Sequence, residues 1–150
     1  MTTEQPLSYR RTIAAPADRV WAAVTTSEGS KATLYGCVIE TDFAVGGPVE
    51  FVGYTAEGER IVQVYGEVLA YDAPHRFAYR QHPGAVHNPA HAETSCRMSY
   101  TVTPLDGGGT ELELTVDQWT PGNPAYRHAA AEYPKSAYLD AVQAFAEGGV

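Results

Sequence analysis

Along the chain, apolar and polar positions fall first into strand period, then helix period, then a long run of strand period again. Residues 8 to 14, SYRRTIA, alternate and predict a first strand. Pro16 and Asp18 open APADRVWAAVTT as a helix in which Val20, Trp21 and Val24 share one face. SEGSKATLY, 27 to 35, predicts a short second helix interrupted at Gly29, leading into CVIETDF at 37 to 43. From there the period is two. CVIETDF, PVEFVGY (48 to 54), IVQVYGEVLAYD (61 to 72) and HRFAYRQH (75 to 82) are separated by Gly46-Gly47, the acidic turn AEGER and Ala73-Pro74, which predicts a meander of hairpins. CRMSYTVTP (96 to 104) and TELELTVDQW (110 to 119) flank the turn Asp106-Gly107-Gly108-Gly109. Cys96, Met98, Tyr100 and Val102 share one face, as do Leu112, Leu114 and Val116 on the next strand. An antiparallel sheet with one apolar face needs a cover.

The last segment supplies it. In AYRHAAAEYPKSAYLDAVQAFAE, 125 to 147, Tyr138, Leu139, Val142 and Phe145 recur at helical spacing until Gly148-Gly149. Pro134 interrupts the stretch and places the start of the helix proper at Tyr133 or Pro134. The expected fold class is α+β: a curved antiparallel sheet of about six to seven strands wrapped around a long C-terminal α-helix, with two short helices after strand 1. A helix that does not fill the concavity leaves a cavity there. No repeat, low-complexity tract or linker divides the chain, so residues 1–150 are expected to form a single domain.

Composition narrows the function classes. No run of 18 or more apolar residues offers a membrane span, so membrane insertion is not expected. Ten basic residues against 18 acidic ones, with no basic cluster beyond Arg10-Arg11, do not suit a phosphate backbone, and nucleic acid is not expected as a partner. MTTEQPLSYRRT has no apolar signal core, which leads us to expect a mature protein beginning near Met1 and a cytoplasmic location. Cys37 and Cys96 lie far apart with no CxxC spacing and are expected as reduced, half-buried thiols. Ten tyrosines combine apolar bodies with polar tips, which suits the wall of a pocket for an aromatic ligand.

Four stretches in order carry a resemblance. AAPADRVWAAVTT resembles the APxxxVWxAxT opening of the START-like (SRPBCC, Bet v 1-like) superfamily, in the branch named for the C-terminal domain of the activator of Hsp90 ATPase. FAVGGPVEF resembles that branch's pGGxxxF hairpin, YGEVLAYDAPHRFAY its GxVlexdpPxrlxyt strand pair, and DGGGTELELT its GGTxLtlt strand. The resemblance implies a helix-grip fold around a hydrophobic cavity. Relatives include lipid and steroid carriers, polyketide aromatases and cyclases, resistance proteins that bind reactive natural products, and the co-chaperone domain; fold alone does not choose among them. Where the family often carries Gly-Trp at the start of the terminal helix, this chain has Tyr133-Pro134.

Candidate chemistry concentrates in HPGAVHNPAHAETSC, residues 82 to 96. His82, His87 and His91 are spaced by five and four residues, but Pro83, Pro89 and Gly84 make an extended loop rather than a helix face, so no metal is expected there. The loop joins two central strands and is expected to rim the cavity. His titrates near neutrality, which makes His87 and His91, with Tyr79, candidates for proton transfer if the protein is an enzyme. Arg97, Ser99, Glu113 and Asp117 fall opposite the apolar stripe. Cys96 faces inward as a small apolar group, no GxSxG motif is present, and the glycines at 46-47 and 107-109 are hairpin turns rather than phosphate cradles.

The expected ligand-binding set is Phe51, Tyr65, Phe77, Tyr79, Gln81, Met98, Tyr100, Trp119, Tyr138 and Val142, with Tyr35, His87 and Tyr126 near the entrance. No cofactor is expected. Three functions are compatible: a carrier or sequestering protein for a small hydrophobic, aromatic or polycyclic metabolite; a polyketide cyclase, aromatase or dehydratase using a His or Tyr in the same cavity; and a protein-interaction module. A homodimer is compatible with each. Whether His87 or His91 turns inward separates a loop that only covers from one that also moves protons.

Overall fold

Seven antiparallel strands make one sheet in the order β1-β7-β6-β5-β4-β3-β2. They are β1 (Leu7–Ile13), β2 (Val38–Glu40), β3 (Pro48–Tyr54), β4 (Arg60–Asp72), β5 (Arg76–Pro83), β6 (Cys96–Pro104) and β7 (Thr110–Asp117). Helices α1 (Ala17–Thr25) and α2 (Ser27–Thr33) separate β1 from β2, and α3 (Pro124–Glu132) and α4 (Ala137–Ala146) follow β7. The computed structural model describes residues 4–148. It has the α+β helix-grip architecture expected from the sequence: one curved antiparallel sheet, two short helices after the first strand, and a terminal helix against the concave side.

The curvature has local causes. In the β3–β4 ladder Phe51 pairs with Val64 while Val52 pairs with Val62, which leaves Gln63 as an extra residue. In the β4–β5 ladder Val68 pairs with Tyr79 and Ala70 with Ala78, which leaves Leu69 unpaired in the same way. Each bulge bends β4 and reverses which side chains face the concave side. Between them sits Gly66, where a Cβ would land on the backbone carbonyl oxygen of Arg80. The absent side chain lets β5 approach more closely than any other residue would permit.

Gly29 does not interrupt α2. It is buried inside that helix, and a Cβ there would lie 2.5 Å from the Ala23 carbonyl oxygen, so glycine is what lets α2 turn tightly onto the end of α1. Thr26 caps α2 by accepting from the Gly29 N–H at 3.1 Å. Strand β2 is shorter than the predicted 37 to 43, because Thr41 and Asp42 side chains accept from the backbone N–H groups of Phe43 and Ala44 and turn the chain out of the sheet, with Phe43 at φ 60.

The terminal helix differs from expectation in one respect. The stretch forms two helices, and the gripped one begins at Ala137, not at Tyr133 or Pro134. Asn123 caps α3 with Pro124 in its first turn, and Ser136 caps α4 by accepting from the Leu139 N–H at 3.1 Å. At the break, the Tyr133 hydroxyl donates to the Ser8 carbonyl at 3.1 Å and its ring meets Tyr9 edge-on at 5.2 Å, while Pro134 has no N–H to continue the helix. Leu139, Val142, Phe145 and Ala146 of α4 are buried, whereas α3 has no buried residue. Gly148 leaves α4 at φ 92, and Gly149, expected with it as the stop signal, lies outside the described residues.

The core joins Ile13, Val20, Val49, Phe77, Val102, Leu112, Leu139 and Val142, each essentially inaccessible. No helix of the described residues is long and apolar enough to cross a membrane.

Candidate functional site

A cavity of about 960 Å³ lies between the concave side of β3 to β6 and the helices. Its walls are Phe51 and Gly53 of β3, Ile61, Gln63 and Val64 of β4, Tyr79 and Gln81 of β5, and Cys96, Met98 and Tyr100 of β6. Tyr138 of α4 closes one side; the turn from Leu34 to Cys37, the loop bearing His87 and Asn88, and the start of α3 from Asn123 to Ala125 form its margin. Tyr35 is fully exposed at this margin, in the left-handed region at φ 53.

Of the expected ligand set, Tyr35, Phe51, Tyr79, Gln81, His87, Met98, Tyr100 and Tyr138 are on the cavity. Five others and one candidate base are not. Tyr65 lies on the opposite side of the sheet, because the bulge at Gln63 reverses the alternation that Ile61 begins; its ring stacks on His82 at 4.9 Å. Phe77 is wholly buried beneath the cavity, between the rings of Phe43, Tyr71, Tyr79 and Tyr100. Trp119 leaves the sheet after Gln118, which sits at φ 53, and packs edge-on against Tyr126 at 5.1 Å, which takes both away from the wall. Val142 is consumed in the contact of α4 with the core. Cys37, Gln63, Val64 and Asn123 line the cavity although sequence reasoning did not select them. A bulge has no sequence signature strong enough to have exposed Gln63.

The histidines fasten the loop rather than converge. His82 Nδ1–H donates to the His91 carbonyl at 2.9 Å, His91 Nδ1 shares a hydrogen bond with the Tyr65 hydroxyl at 2.5 Å, and His87 Nε2 bonds Gln63 Oε1. His91 therefore points to the outer side and only His87 reaches the cavity. Among the described residues no three His, Cys, Asp or Glu side chains are grouped to hold a metal ion. On the outer side, Arg97 grips Asp117 with two bonds of 2.8 and 2.6 Å.

Two further hydrogen-bonded pairs lie on the wall. The Tyr79 hydroxyl donates to Gln81 Oε1 at 3.0 Å, and the Tyr100 and Tyr138 hydroxyls are bonded to each other at 2.8 Å. Tyr79 and Tyr100 face the cavity from the neighbouring strands β5 and β6. Burial pushes the Tyr79 and Tyr100 phenols well above their ordinary range and Tyr138 up to about 12. Both cysteines are buried more deeply than expected, and desolvation raises the Cys96 thiol to about 12. These groups are neutral at physiological pH.

A pH dependence follows. A folded-state pKa raised above the unfolded value of 9.0 for Cys96 and 10.0 for Tyr138 gives stability that is complete below those values and lost as pH rises through about 12. The urea midpoint is expected to hold to about pH 9 and fall steadily between about pH 9 and 12, with part of the tyrosine absorbance change at 295 nm delayed until unfolding. A midpoint that is flat to pH 12 would show these groups to be solvated.

A curved sheet closed over an apolar cavity by a C-terminal helix defines a helix-grip, START-like protein. The chain belongs to the family of activator of Hsp90 ATPase homolog 1-like proteins, whose sequence model matches residues 14–143. Protein MLL2253 from Mesorhizobium loti is 21% identical, with a TM-score of 0.68 over 94% of this chain and 96% of that one. The Aha1 dimer from Colwellia psychrerythraea is 15% identical, TM-score 0.66, over 97% and 98%. CalU16 from Micromonospora echinospora is 18% identical, TM-score 0.67, over 95% and 76%. At these identities the likeness is one of fold. No curated protein matches the sequence significantly.

Proposed function

We propose that this protein binds one small, apolar, aromatic or polycyclic metabolite between the sheet and α4, in a carrier, sequestration or resistance role. The observation that carries the reading is the cavity itself: about 960 Å³, walled by Phe51, Val64, Met98 and the faces of three tyrosines, with the hydrogen-bonded pairs Tyr79–Gln81 and Tyr100–Tyr138 on its wall. Ligand sites typically occupy about 300 to 1,000 Å³ and pair apolar walls with a few fixed polar groups. Titration with the neutral apolar dye 1-N-phenylnaphthylamine is expected to give saturable, one-to-one fluorescence enhancement. Absence of saturable binding, together with no apolar compound carried through purification in native mass spectrometry, would remove the reading.

A cyclase, aromatase or dehydratase is the second reading, and His87 on the cavity margin is the observation that favours it. Its hydrogen bond to Gln63 would orient the ring for proton transfer to a bound polyketide. Turnover of a bound compound that is lost in His87→Ala but kept in His91→Ala would establish it. The homodimer expected as compatible has a parallel in the Colwellia protein. Exposed Tyr35, Tyr54 and Val86 are the apolar groups an interaction module would use.

A further inference from the structure

The wall of the cavity contains no Asp, Glu, Lys or Arg among the described residues, in a chain that carries 28 of them. Its polar groups include two hydrogen-bonded pairs, Tyr79 with Gln81 and Tyr100 with Tyr138, all four residues on the cavity. We propose that the Tyr100–Tyr138 pair reads one oxygen atom of the ligand, so that the molecule bound is a neutral aromatic compound bearing a phenolic or carbonyl oxygen, anchored at Tyr138. This rests on the reading above that the cavity is a ligand site.

Hydrogen counting supports the assignment. Each phenol brings one hydrogen and can also accept. In the Tyr100–Tyr138 bond either hydroxyl can be the donor. Where Tyr138 donates to Tyr100, it shows the cavity only an acceptor, which fits a ligand hydroxyl. Where Tyr100 donates to Tyr138, the Tyr138 hydrogen is left to donate into the cavity, which fits a carbonyl. Burial holds the phenols protonated, so the count of hydrogens is constant at neutral pH. A pure hydrocarbon leaves Tyr138 with its bond to Tyr100 alone and its remaining hydrogen-bonding capacity desolvated, and an anion or cation meets no Asp, Glu, Lys or Arg on the wall among the described residues.

Two probes of equal ring size test this. 2-Naphthol and 2-methylnaphthalene are titrated into the wild type and Tyr138→Phe at pH 7, with 2-naphthoate as the charged control. The expected result is that Tyr138→Phe weakens 2-naphthol about tenfold, the worth of one hydrogen bond, and leaves 2-methylnaphthalene within about twofold. The hydrocarbon is thereby the internal control for an intact cavity. If Tyr138→Phe weakens both probes alike or neither, the oxygen-reading role is wrong while the cavity-binding reading stands. Naphthoate bound as tightly as naphthol overturns the neutrality of the ligand. If the wild type binds none of the three, both readings fall.

Discussion

Gly66→Ala is expected to destabilise the fold by about 4 kcal/mol or more, a larger loss than ordinary single substitutions produce. The added Cβ would land on the Arg80 carbonyl oxygen and lie 2.7 Å from the Arg80 carbonyl carbon. Both are backbone atoms of the neighbouring strand, so no rotamer change relieves the clash. The β4–β5 ladder, which runs from Val64 paired with Pro83 to Asp72 paired with Arg76, must open instead. Gly53→Ala is the control on the adjacent strand. Its Cβ would meet nothing closer than Gln63 Nε2 at 3.5 Å and Cys37 Sγ at 3.8 Å, and the expected change is within about 1 kcal/mol. Urea unfolding of the two variants measures the difference. Equal midpoints would mean that the close approach at Gly66 does not hold the curvature, and hence that the cavity owes its shape to something else.

Met98→Glu is expected to lower affinity for the neutral dye by at least about a hundredfold, roughly 2.7 kcal/mol, while Met98→Leu changes it less than about threefold. Met98 is half-buried on β6, directly across from Tyr79, with its side chain on the cavity. A carboxylate there meets no cation on the wall among the described residues and must give up its water when an apolar molecule enters. The empty cavity leaves that water in place, so the melting temperature is expected to move far less than the affinity. Unchanged dye binding in Met98→Glu would place the binding site elsewhere.

The two variants probe features of different legibility. Met98 was readable from the alternation Cys96, Met98, Tyr100, Val102, because β6 runs without a bulge from Cys96 to Pro104 and a strand that keeps its register keeps its faces. Gly66 was visible only as a glycine in a strand. Tyr65, next to it, faces the side opposite to the one its alternation predicts, because one extra residue at Gln63 turns the side chains over until the second bulge at Leu69 turns them back. The loop from 84 to 95 shows the same limit. Its position at the rim follows from joining β5 to β6, but which histidine enters depends on partners that come from β4, Tyr65 for His91 and Gln63 for His87.

By itself, then, the order of apolar periods determined the class of fold, the concave face of β6 and β7 and the apolar stripe of α4, while four sequence motifs carried the resemblance to the family. Tertiary structure alone decided the phase of β4, the break between α3 and α4, the departure of Trp119 from the sheet, and the meeting of Tyr100 with Tyr138. The physical reason is range. Periodicity is set by the local geometry of one helix or strand, whereas a bulge, a close backbone approach or a shared hydrogen bond exists only where segments distant in sequence, such as Tyr100 and Tyr138, are brought into contact.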